Sequence, residues 1–293
     1  MKKTKYAVLS LSAGMDSTSL LMHLLVQGYD VKCISFNYGQ RHSLELQRGT
    51  ELIEYLKTKG YNIERTVVDL SILGTLFNSG LIGKDAKPIV GHYSLESQKG
   101  TVVPNRNAIF ASITYGYALS LAKSHNTEAI IALGTHQGDY KIDKATGIAT
   151  GQYPDCSEEF KQALEYAFKI GNWDSDKVSY YAPYNSTDKT GVLKDGIENC
   201  QKLGLDWKEI YKRTNTSYAP TEDGKAHGYT GADVERVISF HSLGLIDPVE
   251  YVDGWEKTLA YALEEEEKFQ NQSGILVGDQ WSPIFIPNIK YVH

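Results

Sequence analysis

The stretch that decides the fold is residues 6–25, which read YAVLSLSAGMDSTSLLMHLL. A short apolar run meets a Ser/Gly turn, after which leucines 20, 21, 24 and 25 recur at helical spacing. The stretch predicts a strand at 6–10, a loop, and a helix at 17–27 that Gly28 ends.

The same alternation continues outward along the chain. Strands are predicted at 31–36 and 63–68 with a helix at 43–59 between them, which is typical of a parallel sheet with right-handed crossovers. We therefore predict an α/β fold, a doubly wound and mostly parallel sheet with helices on both faces, plus a small C-terminal helical region. Residues 1–212 would form the main domain and 213–293 the C-terminal region. Further strands are predicted at 129–133 and 178–182, further helices at 107–123, 157–170, 191–203, 232–243 and 255–270, and irregular stretches at 71–101, read as a lid, and at 134–154.

Composition narrows the class of protein. The 293 residues carry 30 Lys+Arg against 36 Asp+Glu, a net charge of −6, which argues against a general nucleic-acid binder. A hydrophobic fraction of 41% excludes disorder over most of the chain, and no apolar run approaches the roughly 18 residues of a membrane span. Cys33, Cys156 and Cys200 lie far apart and are odd in number, as expected of reduced thiols. We expect a cytoplasmic protein without a secretory signal.

The loop between the first strand and the first helix predicts an anion site. Its backbone N–H groups would lie at the positive end of a helix dipole, where pyrophosphate can bind. Ser12 or Asp16 could instead only cap the helix. The loop has neither the Gly-Lys-Ser/Thr of a Walker A loop nor Gly-x-Gly-x-x-Gly. The candidate anion-binding residues are Leu11, Ser12, Ala13, Gly14, Met15, Asp16, Ser17 and Thr18.

Residues 12–17, SAGMDS, resemble the Ser-Gly-Gly-x-Asp-Ser loop of the N-type ATP pyrophosphatase superfamily. That resemblance implies an adenine nucleotide alpha hydrolase-like fold, ATP as the cofactor bound by the eight residues 11–18, and activation of a substrate by adenylation with release of pyrophosphate. It also makes Asp16 the candidate to organise Mg²⁺. Ala13 stands where the superfamily has its first glycine.

Three further motifs follow predicted strands or loops: FNYGQRH at 36–42, VPNRN at 103–107 and YPDC at 153–156. Each alone has a structural explanation, respectively a turn, a cap by asparagine, and a Pro-led helix entry capped by Asp155. Together and in this order they resemble the 7-cyano-7-deazaguanine synthase family. The resemblance runs from about residue 6 to 240 and includes Pro183, Lys189 and Thr214.

The resemblance implies an ATP-dependent ligase that adenylates 7-carboxy-7-deazaguanine, forms an amide with ammonia, and dehydrates the amide to the nitrile in a second activation. It also implies a homodimer. The acidic net charge and the lack of a membrane-spanning apolar run predict no nucleic-acid or membrane partner. Basic side chains would neutralise the carboxylate and phosphates, and Asp155 would accept from the guanine-like ring. The candidate catalytic residues are Asp16, Arg41, Arg106 and Lys189; the candidate substrate-binding residues are Tyr38, Gln40, Asn105, Arg106, Asn107, Tyr153, Pro154 and Asp155.

The chain departs from the family at its C-terminal side. The family carries four zinc-binding cysteines, and the alignment places Ser217, His227, Thr230 and Asp233 there instead. Structural zinc sites use Cys and His almost throughout, so we expect no structural zinc. The departure leaves the product open among the nitrile, the amide and a conjugate with another amine, and leaves open a nucleotide-binding relative without turnover. Cys156 belongs to the family's substrate motif, and we interpret it as a structural thiol rather than a nucleophile.

Overall fold

The computed structural model describes residues 4–40, 44–77, 79, 82, 90–92, 100, 102–136, 141–142, 149–150, 154–217, 220–221 and 223–273. Seven strands are described in this part of the chain: β1 (Tyr6–Ser10), β2 (Asp30–Asn37), β3 (Glu64–Asp69), β4 (Ala129–Ala132), β5 (Lys141–Ile142), β6 (Ala149–Thr150) and β7 (Val178–Tyr181). The helices are α1 (Met15–Val26), α2 (Leu44–Thr58), α3 (Leu73–Leu76), α4 (Arg106–Ser124), α5 (Glu158–Gly171), α6 (Lys189–Lys202), α7 (Trp207–Tyr211), α8 (Gly231–Ser242) and α9 (Gly254–Ser273).

Five strands form one sheet in the order β3-β2-β1-β4-β7, and every neighbouring pair is parallel. β5 and β6 form a separate antiparallel ribbon. The chain runs outward from β1 in one direction to β3 and then returns to the other side of β1 at β4. In such a sheet, ligands bind at the carboxyl ends of the strands, at the point where the order reverses. The site is therefore expected beside the carboxyl ends of β1 and β4.

Both faces of the sheet are covered. Successive side chains of a strand point to opposite faces, and on β1 Ala7 and Leu9 enter one core while Tyr6 and Val8 enter the other. The first core contains side chains of α1, α2, α6 and α8, and the second contains those of α4. The predicted doubly wound α/β sheet is confirmed.

The structure corrects four details of the predicted elements. The stretch 71–101 contains the short helix α3, and 134–154 contains β5 and β6. α7 was not predicted, and α6 begins at Lys189, because Asp188 caps it by accepting from the Gly191 N–H at 2.8 Å. Elements of two to five residues are too short to carry a periodic pattern, which is why they escaped prediction. Within the predicted lid, residues 78, 80–81, 83–89, 93–99 and 101 lie outside the described residues, as does the segment 274–293.

The C-terminal region has its own small core, made by Ala226, Val234, Val237, Tyr251 and Ala262. α8 packs against both α6 and α9. Among the described residues, no helix is long and apolar enough to cross a membrane.

Candidate functional site

The loop between β1 and α1 is built around internal hydrogen bonds. Ser12 Oγ accepts from the Gly14 N–H at 3.2 Å and lies 3.0 Å from Ser17 Oγ. Ala13 has φ +58°, in the left-handed region where a side chain is costly, and it is fully buried. Gly14 is the N-cap residue, and no side chain makes a capping bond. Ser12 and Asp16 therefore do not cap α1, and the alternative explanation of this motif is wrong.

Gly134, just after β4, lies against the start of α1. A Cβ atom there would be 3.0 Å from the Ser17 backbone nitrogen. The carboxyl end of β4 thus meets the loop at close range, as the reversal of strand order requires.

Four charged or titratable side chains converge on the first turn of α1. Lys189 Nζ lies 3.5 Å from Asp16 Oδ2 and 2.5 Å from Glu235 Oε2. His136, which is 1% exposed, places Nε2 4.0 Å from Asp16 Oδ2 and 3.8 Å from Glu235 Oε1. Asp16 Oδ1 is buried and has no hydrogen-bond partner among the residues that the structure describes. Two of the predicted catalytic residues, Asp16 and Lys189, are brought together here.

Glu235 and His136 belong to this cluster but were not predicted from the sequence. A usable signal existed for His136, because it follows Gly134 at the carboxyl end of a strand next to β1. Glu235 lies within α8 and had no signal, since its role depends on how α8 packs against α6.

The C-terminal region also supports the loop from behind. The Asn215 N–H donates to the Ala13 carbonyl at 2.9 Å, and Thr214 and Asn215 are buried. Arg236 donates to Thr214 Oγ1 at 2.7 Å and to Thr216 Oγ1 at 3.0 Å. The loop conformation therefore depends on residues about 200 positions away in the chain.

A second cluster forms where β2 ends and α4 begins. The guanidinium carbon of Arg106 lies 5.9 Å from the centre of the Tyr38 ring, and Tyr38 contacts Phe110. Burial raises the pKa of Tyr38 to about 12, with a further contribution from Glu45. Burial likewise raises the pKa of Glu45 to about 7, and Arg106 lowers it. Glu45 was not predicted as a site residue.

The third motif reaches the same helix. Asn107 Nδ2 donates to Cys156 Sγ at 3.5 Å, which joins the start of α4 to the 3-10 turn Pro154–Cys156. The cap of α5 is Ser157, whose side chain accepts from the Phe160 N–H, so the interpretation of Asp155 as the cap is wrong. Asn105 is the N-cap of α4 with φ +59° and makes no side-chain capping bond.

Other predicted residues are placed differently. The side chain of Gln40 accepts from the Tyr38 N–H at 2.8 Å and donates to the Phe36 carbonyl at 3.1 Å, so both ends of its amide hold the turn after β2. Arg41 and Tyr153 lie outside the described residues. Cys33, Cys156 and Cys200 are free and buried, and burial raises the pKa of Cys33 and Cys200 to about 12, which is typical of inert thiols.

Three of the four positions aligned with zinc cysteines meet each other. Asp233 Oδ2 accepts from Ser217 Oγ at 3.0 Å and from Thr230 Oγ1 at 2.7 Å, and Thr230 with Asp233 forms a capping box at the start of α8. These oxygens satisfy one another and do not offer the Cys/His set of a structural zinc site. Among the described residues, no group of three or more His, Cys, Asp or Glu side chains could hold a metal ion.

The raised pKa of Glu45 predicts a pH-dependent stability. The unfolded chain releases this proton near pH 4.5 and the folded chain near pH 7, so stability falls as the pH rises through this window. Since one pKa unit corresponds to about 1.4 kcal/mol, Glu45→Gln should raise the free energy of unfolding at pH 8 by about 1–3 kcal/mol more than at pH 4. Urea unfolding at both pH values measures this. Glu54→Gln, on the exposed side of the same helix, should show no such difference.

Comparison with known proteins adds four findings. The family model described as "Queuosine biosynthesis protein QueC" matches residues 6–244. The chain is 37% identical over 248 residues to 7-cyano-7-deazaguanine synthase 2 of Colwellia psychrerythraea, covering 84% of this chain and 99% of that protein. It is also 37% identical over 255 residues to 7-cyano-7-deazaguanine synthase of Caldicellulosiruptor saccharolyticus, covering 86% and 99%. Among solved structures, a 4-thiouridine synthetase bound to RNA and ATP is similar with a TM-score of 0.39 and 15% identity, covering 90% of this chain and 52% of that one.

Proposed function

The chain belongs to the QueC family of queuosine biosynthesis proteins, and from this membership we propose that it is an ATP-dependent ligase converting 7-carboxy-7-deazaguanine and ammonia to 7-cyano-7-deazaguanine. The resemblance found in the sequence is thereby confirmed at the level of the family. Relatives bearing the name 7-cyano-7-deazaguanine synthase support an enzyme of queuosine-type biosynthesis.

The observation that carries the proposal is the meeting of Asp16 and Lys189 at the loop between β1 and α1. A helix N-terminus without a side-chain cap leaves backbone N–H groups for an anion, and Lys189 adds a positive charge beside it. Pyrophosphate leaving from ATP is such an anion. The carboxylate of the acid would attack the α-phosphate, and the bond to pyrophosphate would break as the acyl-adenylate forms.

The residues present fit a magnesium ion at one point. Asp16 Oδ1 is a buried carboxylate oxygen without a hydrogen-bond partner among the described residues, and magnesium is usually held by one or two carboxylates together with substrate phosphates. Bound there, the ion would neutralise charge on the phosphates. Asp16 would hold the ion, and Lys189 would contact the same phosphates.

The second cluster suits a flat, polar ring. Tyr38 offers an aromatic face, Arg106 a guanidinium beside it, and Asn107 and Asp155 offer amide and carboxylate groups that can read donors and acceptors of a guanine-like edge. Arg106 would also pair with the substrate carboxylate before its activation. Ammonia then displaces AMP to give the amide, and a second ATP activates the amide oxygen so that loss of this oxygen leaves the nitrile.

Mass spectrometry of a reaction with purified protein, ATP, Mg²⁺, ammonium and 7-carboxy-7-deazaguanine tests the proposal. A nitrile product formed together with AMP supports the full reaction, whereas ADP would indicate a phosphorylated rather than adenylated intermediate. Amide as the end product would assign the chain to a ligase that stops one step earlier. Absence of both products and of ATP turnover would contradict the proposal and favour the nucleotide-binding relative without turnover.

Asp155→Ala should separate recognition of the ring from binding of ATP. We expect kcat/KM for the acid to fall by about 10²-fold or more, because unpaired polar groups on the ring lose their partner, with ATP affinity within about twofold of wild type. Steady-state kinetics with the acid measures kcat/KM, and isothermal titration with ATP measures its affinity. Asp176→Ala, an exposed aspartate in the 3-10 turn before β7, is the control, and an equal loss for both ligands would contradict the assignment.

We propose further that residues 213–293 support the main domain without zinc. Burial raises the pKa of Asp233 above its usual value of 3.8, while hydrogen bonds from Thr230 and Ser217 lower it. These contacts give the loop its own polar anchor. α9 adds packing, since Thr258 fills the space beside Gly228 and the Tyr229 ring contacts Tyr261 edge-on.

The zinc-free anchor predicts insensitivity to chelators. Purified protein should contain fewer than about 0.1 zinc ions per chain, and EDTA should leave its melting temperature unchanged. Asp233→Ala should lower the free energy of unfolding by about 1–3 kcal/mol, because it leaves the Thr230 and Ser217 donors unsatisfied. Asp223→Ala, exposed in the same loop, is the control. Stoichiometric zinc by elemental analysis would contradict this prediction.

The remaining expectations about partners stay proposals. The proposed substrates are small molecules, the resemblance implies a homodimer, and the net charge of −6 argues against a nucleic-acid partner. Three free, buried cysteines agree with a reducing compartment such as the cytoplasm. Light scattering of purified protein tests the dimer.

A further inference from the structure

We propose that Glu235 of α8 is the positioning residue for Lys189, holding its ammonium group beside Asp16 at the phosphate loop. The proposal rests on the proposed function, because it concerns how the same site is assembled. It adds a residue of the C-terminal region, one with no counterpart among the motifs, to the machinery that binds ATP.

Among the described residues, Glu235 is the nearer of the two carboxylates that contact Lys189. Glu235 Oε2 lies 2.5 Å from Lys189 Nζ, closer than Asp16 Oδ2 at 3.5 Å. The side chains of Lys189, Glu235 and Asp16 are 8%, 14% and 22% exposed. A charge-assisted hydrogen bond that is largely shielded from water fixes the direction of a flexible lysine much better than a surface pair does.

The charge on Lys189 also requires a carboxylate other than Asp16. An ammonium group removed from water needs a carboxylate partner to remain charged. Asp16 alone cannot serve throughout the reaction, because in the proposed mechanism it holds magnesium. Glu235 is the second carboxylate within reach of Lys189 Nζ, so the ammonium group keeps a partner and its orientation while Asp16 binds magnesium. His136 Nε2 lies 4.0 Å from Asp16 Oδ2 and 3.8 Å from Glu235 Oε1, so Glu235 faces the same cluster as Asp16.

The backbone of Glu235 is itself held in place. The capping box of Thr230 and Asp233 fixes the start of α8, and the next residue after Glu235, Arg236, is tied to Asp247 by a buried ion pair at 2.6 Å. α8 also packs directly on α6, which begins at Lys189. The position of the lysine is therefore set from two helices of different regions.

A purely structural role, in which the pair only joins α8 to α6, makes a different prediction. In that case Glu235→Ala would lower the melting temperature and leave the rate per folded molecule unchanged. A positioning role lowers kcat through Lys189, so the effects of the two residues are not additive.

The experiment is a double-mutant cycle of Glu235→Ala and Lys189→Ala, with Glu235→Gln as the conservative variant and Glu198→Ala, exposed on α6, as the control. We expect Glu235→Ala to lower kcat by about 10–100-fold with KM for ATP within about threefold, Glu235→Gln to retain part of the activity through its amide oxygen, and the double variant to be no slower than Lys189→Ala. Multiplying losses in the double variant, or a kcat of Glu235→Ala within about twofold of wild type, would overturn the proposal.

A second measurement does not depend on turnover. The rate at which trinitrobenzenesulfonate modifies Lys189, read by peptide mapping, should rise about tenfold or more in Glu235→Ala, while exposed Lys194 on the same helix keeps its rate. An unchanged rate at Lys189 would overturn the positioning role. If the wild type forms no product from the acid, the proposed function fails, and the modification rates still decide whether Glu235 holds Lys189.

Discussion

Asp16→Ala is expected to lower ATP-dependent activation of the acid by about 10²–10³-fold, the loss usually seen when one preorganised electrostatic group is removed from a site. Asp16 has one carboxylate oxygen facing Lys189 at 3.5 Å and a second, buried oxygen that is without a hydrogen-bond partner among the described residues. A buried carboxylate oxygen without a partner lowers the stability of the folded protein. A magnesium ion bound to the phosphates of ATP would give Asp16 Oδ1 that partner.

The same change should leave the fold intact. Lys189 keeps Glu235 at 2.5 Å, and Asp16 makes no capping bond to α1, so we expect stability within about 1 kcal/mol of wild type. Exchange of radiolabelled pyrophosphate into ATP measures the activation step, and urea unfolding measures stability. Asp16→Asn separates charge from shape and should be nearly as inactive. Turnover of Asp16→Ala at the wild-type rate would remove the phosphate loop from the mechanism.

The loop could be predicted from the sequence because everything it needs is local. A strand of five residues, a turn with a glycine and a helix with leucines at helical spacing lie within 21 residues, 6–26, and the structure has them as β1, the loop and α1. The same is true of β2, α2 and β3. Reversal of the strand order between β1 and β4 then determines where the site lies.

What the sequence could not predict depends on packing between distant segments. Glu235 is one glutamate in an amphipathic helix, and only the packing of α8 on α6 brings it to Lys189. Glu45 likewise lies in the first turn of a helix that predicts a solvated carboxylate, yet burial beside Tyr38 raises its pKa to about 7. Single-sequence patterns report which face of an element is apolar and not which neighbour it meets.

Residues after 244, where the match to the family model ends, contact the loop that precedes α8. Ala226 exchanges backbone hydrogen bonds with the chain near Tyr251, donating to the Glu250 carbonyl and accepting from the Val252 N–H. On α9, Glu266 contacts His92 at 2.9 Å, and Phe269 stacks on the same imidazole at 4.1 Å. α9 and the residues just before it thus join the loop that precedes α8 to a segment that precedes α4.

Loss of the ion pair between Arg236 and Asp247 should have the largest effect on stability. The side chains are 2% and 0% exposed, Arg236 donates to both carboxylate oxygens at 2.6 and 2.9 Å, and Tyr251 donates to Asp247 Oδ2 at 2.7 Å. Asp247→Ala leaves the guanidinium buried without its counter-charge, and such changes cost about 3–5 kcal/mol. Urea unfolding measures the loss, and Glu250→Ala, exposed three residues away, should stay within about 0.5 kcal/mol of wild type.

The paired change to Arg236→Met with Asp247→Leu distinguishes the unpaired charge from the loss of the contact itself. Because a well-packed apolar pair often replaces a buried ion pair at little cost, this variant should regain most of the stability lost in Asp247→Ala. It should not regain activity fully, because Arg236 also donates to Thr214 and Thr216. These two residues flank Asn215, whose N–H donates to the Ala13 carbonyl of the phosphate loop. Recovery of stability with activation still reduced would show that the buried arginine serves the loop as well as the fold, whereas an Asp247→Ala variant that loses less than about 1 kcal/mol would contradict the pair's structural importance.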